Sequence, residues 1–156
     1  MPSASLTIKT PFMKKIMLSF SLLLLVHLFA AAQCDKAVNW KASKVELMDE
    51  NGNVLDALSA TIVITVSPEK LVIDIPGQPN DRIEGRVDST TCEWKKAYTN
   101  GKSVLKSKIA KPTGETASAV LTIEGMDGKF SGSLEITDEG KIIRYRIQID
   151  DYEEVG

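Results

Sequence analysis

One histidine occurs in the 156 residues, His27, and it lies inside an apolar leader. The chain beyond that leader has no imidazole, which excludes Ser-His-Asp and Cys-His nucleophile systems that need a base titrating near neutrality. Two cysteines, Cys34 and Cys92, are too few to close a structural Cys/His zinc tetrahedron without histidine. Aromatics are scarce. Past the leader they are Trp40, Trp94, Tyr98, Phe130, Tyr145 and Tyr152. That is too few for the aromatic girdles of an outer-membrane barrel, and the charged second face of the late segments would meet lipid in such a barrel. No run after Trp40 keeps helical periodicity over about ten residues, so a helical domain is excluded.

What is present begins with an address. Lys14 and Lys15 precede the apolar run Ile16–Phe29, which ends in Ala30, Ala31 and Ala32. Basic n-region, apolar h-region and small-residue cleavage site make this a secretory signal peptide, a helix removed on export. Ile16–Ala32 falls short of the about 20 apolar residues of a membrane span and is interrupted by Ser19, Ser21 and His27. Translation starting at Met13 would make residues 1–12 an upstream extension. The expected organisation is a leader over 1–32 and one exported β domain over 33–156, secreted or periplasmic. Cutting after Ala32 removes Lys9, Lys14 and Lys15, leaving 16 basic against 21 acidic side chains, a net charge of −5 over 124 residues. That balance suits a soluble surface and argues against general nucleic-acid binding.

Export places Cys34 and Cys92 in an oxidising compartment, where pairing them would close a long loop. The competing fate of Cys34 is lipidation after cleavage just before it, for which the preceding Gln33 is a poor residue because that processing wants a small one.

The rest reads as short strands parted by turns: Ala42–Met48, Val54–Leu58, Ala60–Val66, Leu71–Ile75, Arg82–Asp88, Cys92–Tyr98, Lys102–Ala110, Thr116–Glu124, Lys129–Thr137 and Lys141–Asp150. Alternation is clean late in the chain. Ala117, Ala119, Leu121 and Ile123 share a face, as do Phe130, Leu134 and Ile136, and Ile143, Tyr145, Ile147 and Ile149. Connections of a few residues leave no room for crossover helices, so sequential strands are neighbours. The expected fold is all-β, an antiparallel up-and-down meander of 8–10 strands curling into a barrel or curved half-barrel, with a two-sheet sandwich as the alternative. In strand number and length it resembles the lipocalin and fatty-acid-binding-protein architecture. Val38-Asn39-Trp40 keeps the tryptophan of the lipocalin Gly-x-Trp and lacks its glycine, so the likeness is one of architecture.

Candidate sites follow from that fold. Trp94, Tyr98 and Tyr145 would face the interior, as core or as the lining of a pocket for a small apolar or glycan ligand. Lys95, Lys96, Lys102, Lys106, Lys108 and Lys111 lie along one hairpin, and Lys102, Lys106 and Lys108 share a face. They form either a docking surface for an envelope protein or a solvated wall that discourages edge pairing. Asp49-x-Asn51-x-Asn53 starts like a calcium loop, but position twelve is Ala60, so it reads as a turn and no metal or other cofactor is expected. The acidic tail Asp150–Glu154 reads as a solvated end. The function these features support is a non-enzymatic exported binding or accessory protein. The alternatives are a hydrolase or isomerase using carboxylates alone, and an envelope interaction module acting through the Lys95–Lys111 hairpin.

Overall fold

The computed structural model describes residues 34–78, 82–96, 98–111 and 113–155. The expected signal peptide over 1–32, its expected cleavage site and Gln33 lie outside the described residues, as do Pro79, Asn80, Asp81 and Pro112 of two expected turns. Eight antiparallel strands follow one another in sequence and in space: β1 (Ala37–Met48), β2 (Val54–Val66), β3 (Lys70–Asp74), β4 (Ile83–Lys96), β5 (Asn100–Ala110), β6 (Thr116–Met126), β7 (Lys129–Asp138) and β8 (Lys141–Val155). β8 pairs back onto β1, and the meander closes as a barrel.

Parity builds the interior. Ala117, Ala119, Leu121 and Ile123 of β6 are buried, with Leu134 of β7 and Ile147 and Ile149 of β8 beside them. Leu105 and Ile109 of β5, Leu71 of β3, Ile62 and Ile64 of β2 and Val38, Trp40 and Ala42 of β1 complete a single core. The outer wall is charged and ion-paired, with Arg144 on Glu135 at 3.0 Å and Arg146 on Glu46 at 2.5 Å. This wet-outside, dry-inside arrangement is the reverse of a lipid-facing barrel. Among the described residues no helix is long and apolar enough to cross a membrane.

Two-residue turns set the register of the late hairpins. Asp127-Gly128 and Glu139-Gly140 have positive φ at both positions (52° and 75°, 48° and 81°), the backbone that matches strand twist.

Three expectations are corrected. Val54–Leu58 and Ala60–Val66 are one strand, because Ser59 stays in the ladder opposite Lys44 and does not break it. Arg82–Asp88 and Cys92–Tyr98 also merge. Ser89, Thr90 and Thr91 pair with Lys106, Leu105 and Val104, and the irregularity shrinks to a bulge after Val87. The acidic tail is not a loose end. Asp151, Glu153 and Glu154 belong to β8 and pair with Lys41, Asn39 and Val38 of β1. Tyr152 points inward from this stretch, while Glu154 and Glu153 reach Lys36 and Lys41 at 2.6 and 3.3 Å. β8 already meets β1 from Arg144 to Ile149, and the alternation that continues through Tyr152 extends that seam to Val155.

Ser107 is the one discordant core residue, 2 % exposed with no hydrogen-bond partner for its Oγ among the described residues. A buried hydroxyl without a partner keeps its desolvation cost, so Ser107→Ala is expected to raise unfolding free energy by about 1 kcal/mol in urea titrations. A destabilised variant would mean that the hydroxyl has a partner, such as an ordered water.

Candidate functional site

The start of β1, the end of β8 and three hairpin turns meet at one end of the barrel, and most of the aromatic side chains gather there. Trp40 of β1 is 2 % exposed and sits at the centre. Its ring lies 6.4 Å from Trp94, 5.8 Å from Tyr98, 5.5 Å from Phe130 and 5.3 Å from Tyr152, centroid to centroid. Tyr98, from the β4–β5 turn, closes the group against Trp94 at 5.8 Å and Tyr152 at 5.4 Å. Tilted and edge-on contacts at these separations are favourable beyond the area they bury.

The backbone is cut to fit these rings. Tyr98 has a φ of 51°, uncommon for a bulky residue, and is nevertheless 4 % exposed. Gly125 faces the cluster, and a Cβ there would lie 2.9 Å from Trp94 Cζ3 and 3.2 Å from Phe130 Cε1. At Gly101, opposite Trp94, the φ is 146° and a Cβ would lie 2.6 Å from Trp94 Cα, a backbone atom that cannot step aside.

A disulfide between Cys34 and Cys92 (Cα–Cα 6.3 Å) fastens the segment before β1 over this end. Ser103 Oγ accepts a 2.7 Å hydrogen bond from Trp94 Nε1, and both cysteine sulfurs lie within 3.7 Å of the same oxygen. The disulfide pairing expected for Cys34 is therefore the one found, and it points to an oxidising, non-cytoplasmic compartment. The space left inside this end, between Cys34, Trp40, Tyr98, Ser103 and Leu121, is about 20 Å³. That is room for one water molecule and not for a sugar or a fatty chain.

Trp94 and Tyr98 are thus together, as packed core, while Tyr145 is not with them. It lies further down β8, opposite Leu47 and Leu134, half-buried against the core. Trp40, Phe130, Tyr152 and Ser103 are members that strand-by-strand reading did not collect. Their common signal, inward parity at the same end of the meander, requires the strand register to be known.

Burial raises the Tyr98 phenol above its ordinary value, reinforced by the Glu154 carboxylate and by Tyr152. Below about pH 10 the group is neutral in both folded and unfolded chains and its contribution is fully present. As pH rises further the unfolded chain ionises first, so stability is lost through the range up to the raised folded value. Alkaline thermal melts of the native protein are expected to fall more steeply than those of Tyr98→Phe. Equal slopes would show that another group governs the loss.

The lysine hairpin divides. Lys102, Lys106 and Lys108 share the outer face of β5, all exposed. Lys102 lies 3.8 Å from Glu93 and is paired in the sheet with Glu124, and Lys108 Nζ donates to Ser118 Oγ at 2.6 Å. Lys111 is held by Glu115 and Asp138, each at 2.9 Å, which keeps its ammonium well above the usual range. Lys95 is exposed, and the side chain of Lys96 lies outside those described. Cross-strand acids meet the two ends of the run, Lys102 and Lys111, which linear order could not reveal, while Lys106 and Lys108 have Ser89, Val120, Arg86 and Ser118 as register partners.

The acids are tuned for structure. Glu46, Glu84 and Glu115 are lowered, first by hydrogen bonds from Lys44, Lys70 and Lys111 respectively. A general acid requires the opposite shift. Asp49 closes its turn, its Oδ1 accepting the amides of Asn51 and Asn53 at 2.9 and 2.7 Å and its Oδ2 the Asn53 side chain at 2.9 Å. Its oxygens are thus spent within the turn, as in an Asx motif. Among the described residues no three acids, cysteines or histidines converge as metal ligands.

The protein is therefore an eight-stranded antiparallel barrel with a filled, aromatic-capped end. No protein-family model and no curated protein matches the chain. Among solved structures it is similar to a DUF4251 family protein from Bacteroides eggerthii DSM 20697, with 17% identity and a TM-score of 0.43 over 78% of this chain and 83% of that one.

Proposed function

We propose that this chain is an exported, non-enzymatic barrel that serves in the cell envelope or extracellular space as a rigid accessory or binding module, meeting its partners with its outer wall. The observation that carries this reading is the interior. Side chains fill it down to about 20 Å³ at the aromatic end, so a partner there would have to displace Trp40 or Tyr98 from the core. The disulfide and the leader with its alanine cleavage site support export. The lack of histidine past the leader and the lowered carboxylates support a non-catalytic role.

Two measurements test it. Intact mass of protein recovered from an exporting host should start at Gln33 and be two hydrogens lighter than the dithiol. A chain retaining the leader, or one carrying lipid on Cys34, overturns the export route. Titration with a fluorescent fatty-acid analogue should leave tryptophan emission unchanged, and saturable quenching at one equivalent overturns the outer-wall reading.

A further inference from the structure

The outer wall over β3, β4 and β5 carries a row of cations that the sheet itself does not need. Lys70 pairs with Arg86 and Arg86 pairs with Lys108, so three cations stand directly opposite one another on consecutive strands. Ser118 of β6 ends the row. Neighbouring strands lie about 4.8 Å apart, which puts the three charges within a span of about 10 Å. Lys106, two residues before Lys108 on the same exposed face of β5, widens the row into a patch. Like charges placed directly opposite destabilise a sheet.

Acids offset one side of this patch only. Glu84 lies 2.8 Å from Lys70 and 2.6 Å from Arg82, and Asp88 lies 3.2 Å from Arg86. With Glu69, exposed beside Lys70 in sequence, three acids face five cations: Lys70, Arg82, Arg86, Lys106 and Lys108. Among the described residues, Lys106 and Lys108 form no ion pair, and the Lys108 ammonium donates to the Ser118 hydroxyl at 2.6 Å. Guarding a sheet edge is the ordinary use of such lysines. It does not apply here, because β5 is paired with β4 on one side and β6 on the other from Gly101 to Ile109.

We propose that this patch is the docking surface for an anionic polysaccharide, whose charged groups follow the Arg86, Lys108 and Lys106 side chains; the proposal rests on the outer-wall role given above. The surroundings of the cations select that partner. Among the described residues, none of the exposed large apolar side chains lies on β3, β4 or β5. The wall therefore lacks the apolar centre of a protein interface and the apolar face of a helix that lies in lipid. The aromatic rings are turned into the core, so no platform is offered to nucleic-acid bases. What borders the cations is hydroxyl: Ser89 opposite Lys106, Ser118 opposite Lys108, and Thr116 beside Lys108 in an open groove. Hydroxyls that both donate and accept, set among fixed cations, match a polymer that carries hydroxyls and spaced negative charge.

Polygalacturonate and dextran sulfate are the probes, titrated into the disulfide-bonded protein with neutral dextran as the blank. At least one polyanion should bind saturably, weaken as salt is added and leave tryptophan emission unchanged, while dextran does not bind. Lys106→Gln combined with Lys108→Gln should raise the dissociation constant by at least about tenfold with an unchanged melting curve. Arg86→Gln, at a side chain 80% exposed, should act in the same direction. Lys129→Gln combined with Lys141→Gln removes the same charge from exposed positions on β7 and β8 and should leave binding nearly unchanged. Equal losses from the two pairs would reduce the effect to net charge and overturn the proposal. Equal binding of polyglutamate, which has the charge without the hydroxyls, would overturn it too, as would binding of phosphatidylglycerol vesicles in place of either polysaccharide. Failure of both polyanions to bind removes this proposal alone. Binding that quenches tryptophan and survives the Lys106 and Lys108 substitutions would put the glycan at the aromatic end and overturn the outer-wall reading as well.

Discussion

Replacing Cys34 and Cys92 together by alanine is expected to lower the unfolding free energy by about 4 kcal/mol and the melting temperature by about 10–20 °C. The bridge closes a loop with a sequence separation of 58, and the chain-entropy cost that it removes from the unfolded state grows with the logarithm of that length. On the folded side it fastens Cys34 beside Ser103 and Trp94, where β1 and β8 begin and end the meander. The loss should therefore exceed the entropic figure if the segment before β1 lifts from the aromatic end, and match it if that segment stays. Urea denaturation of the double variant measures the free energy, and tryptophan emission, sensitive to the neighbouring sulfurs, reports the segment. A loss below about 1 kcal/mol would mean that the barrel is closed by β8 pairing alone.

That closing seam marks where sequence reading succeeds and stops. Ala117–Ile123, Phe130–Ile136 and Ile147–Ile149 alternate so regularly that their buried face is legible without coordinates. The meander follows from short turns such as Asp127-Gly128. The far part of the closing seam is made by β8 running on through Asp151, Glu153 and Glu154, residues whose acidity suggests a solvated tail. Only Lys36, just before β1, and Lys41 within it explain from across the seam why acids alternate there with Tyr152. The charge of the lysine hairpin is only partly legible for the same reason: Glu93 lies 3.8 Å from Lys102 on a neighbouring strand and Asp138 reaches Lys111 from another, while Lys106 and Lys108 have no acid as register partner. Composition along a line counts charges, whereas a sheet pairs them sideways.

The exposure of the first half of β2 is hidden differently. Val54–Thr61 looks like any apolar strand, and its exposure comes from the brevity of its neighbour, β3, which ends at Asp74 after five residues. A strand's burial is set by the lengths of the strands beside it as much as by its own pattern. The barrel is thus firmest where long strands surround Trp40 and least covered where β2 outruns β3.

Trp40→Ala tests the firm end, and is expected to cost about 3–5 kcal/mol, near the upper limit for one truncation. Trp40 is buried to 2 % and is the one ring in contact with Trp94, Tyr98, Phe130 and Tyr152 at once. Its removal forfeits both the transfer of an indole from water and the edge-on contacts of its neighbours. The surrounding backbone has little freedom to collapse, because Tyr98 already holds a positive φ and the Cys34–Cys92 bridge fixes the segment above. A cavity should therefore persist, apolar and close in shape to the lost ring. Added indole should then bind it and return part of the stability by mass action, in a manner that the unmodified protein does not show. Tyr145→Ala, half-buried and apart from the cluster, is the control and should cost clearly less without indole rescue. Equal losses for the two variants would place the core's keystone elsewhere. A full loss at Trp40 without rescue would show that the end of the barrel collapses, so that the rigidity of this rim comes from the packed rings themselves and not from the backbone that carries them.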